Sequence, residues 1–150
     1  MKKAIYDSLL IKRGYIQGDE FDNQRRNLLN YGHCFGHAIE TVGNFQVPHG
    51  QAVVLGMIMA NIVAKHRGLL SDKQEAFLLE NLLLPSLAIK LKEEVLSPAR
   101  VISAMRKDKK RKGRRLALVL LKNKYRLEKI NDLNETEVKY AISEFTKRYF

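Results

Sequence analysis

Cysteine occurs once in the 150 residues, at Cys34. A disulfide within one chain is therefore impossible, and a cysteine-based zinc cluster is excluded. Tryptophan is absent, while three prolines and nine glycines are ordinary numbers, so nothing points to disorder or low complexity. Long hydrophobic runs are also missing. The longest, residues 52–64, is interrupted by Gly56 and Asn61 and falls well short of the ~20 residues that span a bilayer. Leu9, Leu10 and Ile11 make too short a run for a secretory signal, so a cytoplasmic protein without membrane association is expected. Acidic residues are few: 16 Asp and Glu against 27 Lys and Arg leave a formal net charge of +11. That balance favours nucleic acid, an anionic membrane or phosphorylated metabolites as partners. Charge alone leaves these open beside a plain solvated basic surface.

What is present is enough for one core. Hydrophobic residues make up 45% of the chain, and 150 residues fit a single domain. Helical patterns dominate. Residues 2–13 have helical character, and Gly14 and Gly18 interrupt the pattern after them. Residues 24–43 keep a strong 3.6-residue period, residues 44–50 form a loop that carries His49, and residues 51–66 make a second, apolar helix stopped by Gly68. Ser71 with Gln74 forms a capping-box pattern for a helix that Pro85 ends. A short helix is expected over 87–95. Ser97-Pro98 opens another helix to about Lys107, and Asn134 with Glu137 caps a last one to about Arg148. Residues 116–121 and 125–130 pair as a hairpin across Asn123-Lys124. The expected class is mainly α, a multi-helix domain over residues 1–150 with one small β-hairpin.

Within 24–43, the residues Arg26, Asn30, His33, His37 and Glu40 fall on one narrow stripe at 100° per residue, opposite Leu28, Tyr31, Phe35, Ala38, Ile39 and Val42. A solvated face usually carries Lys and Glu; this one carries two His, an Asn and an Arg. Gly32 and Gly36 each cost about 1 kcal/mol mid-helix relative to Ala, a cost that close approach by another backbone would offset. The next helix offers a partner in Ala52, Gly56, Ala60 and Ala64, a small-residue ridge suited to tight helix packing. His33 and His37 at i, i+4, with His49 nearby, form a metal-site candidate, since neutral imidazole is a common zinc ligand. The alternative is a set of surface or satisfied core histidines.

The segment Arg26-Asn-Leu-Leu-Asn30-Tyr-Gly32-His33-Cys-Phe-Gly-His37-Ala-Ile-Glu40 resembles the signature helix of dehydroquinate synthases. His49-Gly50-Gln51-Ala52-Val53 is similar to that family's second motif. Met105 with Asp108-Lys109-Lys110, then Gly113 and Val119-Leu120-Leu121, is similar to a third. Lys12 and Asp19-Glu20 stand at the family's distances before Arg26. The resemblance covers most of residues 10–121. It implies the C-terminal domain of a 3-dehydroquinate synthase-like sugar phosphate cyclase, with an N-terminal NAD-binding half outside these residues, where no Gly-rich dinucleotide fingerprint occurs. It further implies a homodimer, a phosphorylated sugar-acid substrate and a divalent metal, zinc or cobalt.

By that resemblance His33 and His49 are the metal ligands, a third being a glutamate upstream of Lys12 that this chain does not include. Lys12 and His37 are catalytic. Lys12, Arg26, Asn30, His37, Lys109 and Lys110 bind the substrate's carboxylate, hydroxyls and phosphate, and Glu40 is left without a role. The implied chemistry is a lyase cyclisation: NAD oxidises a substrate hydroxyl, phosphate is eliminated, the hydride returns, and an aldol step closes the ring. Cys34 stands where the family usually has Thr, Gln51 where it has Glu, and Gln24 where it has Gly, which leaves the particular sugar phosphate open. A basic nucleic-acid-binding module is the competing reading, motivated by the +11 charge and the 107–115 run, but it has no recognition motif or aromatic platform behind it.

Overall fold

The computed structural model describes residues 2–17, 19, 25–89, 93–107 and 116–149, and divides into two compact units, Met1–Asn30 and Tyr31–Phe150. In the first unit, helix α1 (Lys2–Ile16) runs through Gly14 rather than stopping before it. Gly14 has open space around it and an ordinary backbone, so its only penalty is entropic. None of α1 is buried; Ile5, Tyr6, Leu9, Leu10 and Ile11 are all exposed. The unit closes on a 3-10 turn, Arg25–Asn30. The Arg26 backbone N–H donates to Asp19 Oδ2 at 2.9 Å, and the Arg25 guanidinium lies 5.4 Å from the Tyr15 ring.

The second unit opens at Tyr31–Gly32, and here one expectation is corrected. Residues 24–43 are not one helix. Gly32 takes a left-handed conformation (φ 80°) and helix α2 (His33–Val42) begins after it. A side chain at Gly32 is excluded twice over, by that φ and by Val53 O and Met57 crowding the space. Helix α3 (His49–His66) starts one residue after Pro48, so His49 sits in its first turn rather than in a loop. Proline's fixed φ suits that helix entry. Helix α3 is the spine of this unit: Leu55, Ile58, Met59, Ile62 and Val63 are at most 1% exposed. Helix α2 crosses it where Gly32 and Gly36 meet Ala52 and Gly56, the pairing expected from the small-residue ridge.

Helix α4 (Asp72–Leu78) has Ser71 as its N-cap, accepting from the Gln74 N–H. It runs on through a wider π turn, Leu79–Leu83, and a 3-10 turn, Leu84–Ser86, around Pro85. The short helix expected over 87–95 is not formed over its described residues; only a 3-10 turn, Glu93–Leu96, appears. Helix α5 (Pro98–Lys107) buries Val101, Ile102 and Met105 and packs on α2. Strands β1 (Leu116–Lys122) and β2 (Arg126–Leu133) pair antiparallel with an irregularity between Leu116 and Leu118, turning at Lys124 and Tyr125, both at positive φ. The β1 face lies on α3. Helix α6 (Glu135–Tyr149) has the expected reciprocal cap: the Glu137 N–H donates to Asn134 Oδ1 at 2.9 Å, and the Asn134 N–H to Glu137 Oε2 at 3.1 Å. The mainly α architecture with one hairpin is the one the sequence pattern predicts.

Arg67, just past the end of α3, joins these pieces. Its Nε and Nη2 donate to the two Glu137 oxygens at 2.6 and 2.8 Å, and Nη1 donates to Asp132 on β2 at 2.8 Å. The fork holds the Glu137 carboxyl below the usual carboxylate range, and Glu137 in turn holds the guanidinium above its own. Among the described residues no helix is long and apolar enough to cross a membrane.

Candidate metal and substrate site

The crossing of α2 and α3 at glycine sets where three imidazoles fall. His33 and His37 lie one turn apart on α2, and His49 comes from the first turn of α3. Ring centroids are 5.4 Å apart for His33–His37, 5.5 Å for His33–His49 and 5.9 Å for His37–His49. The two helices thus bring together the three histidines that the sequence put within 17 residues of one another.

Two of the rings are fixed by acceptors. His33 Nδ1 is 3.2 Å from the Tyr31 carbonyl oxygen, which can only accept, so Nδ1 carries the proton and Nε2 the lone pair of the neutral ring. Burial lowers the His33 pKa, which favours that neutral, ligand-competent form. His49 Nδ1 lies 3.1 and 3.2 Å from the two Glu40 carboxylate oxygens, again acceptors, which leaves its Nε2 as the lone-pair nitrogen. Tyr31 itself is pinned, its hydroxyl donating to Oδ1 of buried Asn61, and burial raises its pKa.

One ligand atom each from His37, Glu40 and His49 falls within 4.8 Å of the others. This trio differs from the pair His33 and His49 implied by the resemblance. A neutral imidazole offers one lone pair, and in His49 the nitrogen facing Glu40 carries the proton. As they stand, the Glu40 oxygens are engaged with that N–H rather than offered to an ion. The helix stripe alone would make Glu40 a ligand beside His37, whereas the resemblance leaves it without a role. Its position on the helix stripe was legible; its contact needed the path by which 44–48 returns the chain to α2.

Lys12 is exposed on α1, and Arg26 and Asn30 are partly buried in the 3-10 turn, all three in the first unit. Lys109 and Lys110 lie outside the described residues. Cys34 is in no disulfide and packs against the core. Gln51 uses its amide on the backbone: Nε2 donates to Ser86 O at 3.1 Å and Oε1 accepts from the Ala88 N–H at 2.7 Å.

Residues 1–111 match the family described as 3-dehydroquinate synthase C-terminal. The chain belongs to that family. A 3-dehydroquinate synthase of Dehalococcoides mccartyi is 34% identical over 122 residues, 81% of this chain and 33% of the relative. One of Streptococcus sanguinis is 37% identical over 123 residues, 80% and 34% of the two chains. The chain therefore spans about a third of the length of such relatives. Among solved structures, 2-epi-5-epi-valiolone synthase from Streptomyces hygroscopicus, with NAD+ and Zn2+ bound, superposes with a TM-score of 0.77 at 24% identity. It covers 91% of this chain and 37% of its own. 2-Deoxy-scyllo-inosose synthase, complexed with carbaglucose-6-phosphate, NAD+ and Co2+, gives 0.66 at 24% identity over 89% and 39%. At that identity the likeness establishes a shared fold.

Proposed function

We propose that this chain is the metal- and substrate-binding part of a 3-dehydroquinate synthase-like carbon–oxygen lyase, which cyclises a phosphorylated sugar acid with elimination of phosphate. It acts in the cytoplasm, in the shikimate route to aromatic amino acids, as one domain of a homodimer whose NAD-binding half lies outside it. The observation that carries the reading is the convergence of His33, His37 and His49 from two helices locked at glycine. His33 and His49 each have Nδ1–H spent on a protein acceptor and Nε2 left as a lone pair. That is the state a metal-ligating histidine adopts. The apolar residues exposed along α1 support a further body of protein covering it.

Zinc or cobalt held by His33 and His49 would supply Lewis acidity toward substrate oxygens, and NAD would accept and return the hydride. This chain's own residues bind and orient. Arg26 offers a planar fork to the substrate carboxylate, and Lys12 and Asn30 hold carboxylate or hydroxyl oxygens. His37 donates a ring N–H to the phosphate, and Lys109 and Lys110 place positive charge over it. They stabilise the charge that grows as the C–O bond breaks. The net charge of +11 suits an anionic substrate.

Cobalt or zinc titration of the chain and of His33→Ala and His49→Ala tests the site. We expect each variant to lose at least tenfold in affinity, and unchanged affinity in both overturns the assignment. Turnover of a sugar phosphate should require addition of an NAD-binding half. Turnover by these 150 residues alone would refute the reading that they are one part of the enzyme.

A further inference from the structure

The structure points to Glu40 as a positioning residue for His49, and we propose that its carboxylate fixes the tautomer and ring direction that make Nε2 the ligand nitrogen. This rests on the reading of His49 as a metal ligand. Both Glu40 oxygens lie within 3.2 Å of His49 Nδ1. The Glu40 side chain is 13% exposed and that of His49 57%, so the ring is held from its inner side by a mostly buried anion. An exposed imidazole on the first turn of a helix otherwise rotates freely about two side-chain torsions and exchanges tautomers. A carboxylate acceptor selects Nδ1–H, because the opposite tautomer would set a lone pair against two anionic oxygens. Helix α2 supplies His33, His37 and Glu40 on one face, so the carboxylate that aims His49 is built into the helix that carries the other rings. His33 has a backbone carbonyl in the same role, which gives both rings the same protonated nitrogen.

The test uses the 150-residue chain. Nitrogen-15 NMR of the metal-free protein at pH 8, where imidazole is neutral, reads the His49 tautomer. Cobalt titration reads affinity in Glu40→Ala, Glu40→Gln and His49→Ala. We expect Nδ1–H to dominate in the unsubstituted chain and in Glu40→Gln, whose amide oxygen still accepts, and to lose its dominance in Glu40→Ala. Cobalt affinity should fall 10- to 100-fold in Glu40→Ala and be largely kept in Glu40→Gln. If Glu40→Gln keeps the tautomer yet loses cobalt as fully as His49→Ala, the carboxylate is itself a ligand and positioning is wrong. If His49→Ala loses cobalt while Glu40→Ala keeps both tautomer and affinity, only the role of Glu40 falls. If His49→Ala binds cobalt normally, the ligand assignment beneath the proposal falls, and the proposal with it.

Discussion

Replacing Gly56 by alanine adds one methyl group where the two site-bearing helices touch. A Cβ at this position would overlap the Gly32 carbonyl oxygen outright, and would lie 2.8 Å from Gly36 N and 2.9 Å from Gly32 C. These are backbone atoms, and the Gly32 carbonyl already accepts from the Gly36 N–H at 2.9 Å, so no side chain can swing aside. The helices must separate by an appreciable fraction of an ångström, opening gaps among Phe35, Ile39 and Leu55, which are all fully buried. Overpacking of a core costs about 1–3 kcal/mol where side chains can adjust. With backbone on both sides we expect the upper end, about 3 kcal/mol or more. That is partly offset by the gain of up to ~1 kcal/mol from replacing a helical glycine. Gly50→Ala, in the same helix with nothing within 4 Å, is the control, expected to be neutral or stabilising by up to ~1 kcal/mol. Urea unfolding followed by circular dichroism measures both. A Gly56→Ala variant within about 0.5 kcal/mol of the parent, the range of an ordinary surface change, would show that the crossing yields freely, and would remove the rigidity attributed to the site.

Two further substitutions probe the polar contacts. Glu137→Gln breaks the Arg67 fork while keeping an acceptor for the helix cap, and should cost about 1.5–3 kcal/mol at pH 7. The folded-state pKa of Glu137 is depressed, so the unfolded chain binds the extra proton. The contribution is whole above the ordinary carboxylate pKa, near ~4.3, and is lost as pH falls through the folded value. Unfolding measured from pH 7 to pH 3 should show the parent and the variant converging; a constant gap would refute this. Gln51→Glu, which restores the residue usual in the family, removes the donor to Ser86 O and should destabilise by about 1 kcal/mol. Acidification below about pH 4, which returns an O–H donor, should recover part of that loss, and a variant more stable than the parent at pH 7 would mean the amide holds nothing.

Element types were largely legible in the sequence, because caps and periods are local. Asn134 with Glu137 formed the full reciprocal cap its spacing predicts; Ser71 accepts from the Gln74 N–H, but its own N–H goes to Asn123 Oδ1; and the Gly–Ala ridge met its glycine partners. The break at Gly32 was not legible. Periodicity continues through it, and only the contact with Val53 and Met57 shows why the chain turns left-handed there. The helix expected over 87–95 is not formed over its described residues, for a similar cause. At its start Leu87 is extended, and the Gln51 amide bonds the backbone on either side of it, at Ser86 O and the Ala88 N–H, a tertiary contact that overrides local propensity. The histidine cluster was half legible. The i, i+4 pair needs only a helix, whereas the approach of His49 needs the return path, and the Glu40 contact comes from that path alone.

The backbone-to-backbone crossing of α2 and α3 has a consequence for how this domain tolerates change. The spacing between His33 and His49 is gauged by glycine atoms that have no rotamers, so it works like a bolted joint rather than a cushion. Trimming a methyl from Ile58 or Ile62, on the spine but away from the bolt, loosens the body without altering the gauge. Variation can therefore accumulate along α3 at the expense of melting temperature while the imidazoles keep their separation. The positions that cannot drift are the ones with the least chemistry to lose: a few hydrogens on Gly32, Gly36 and Gly56.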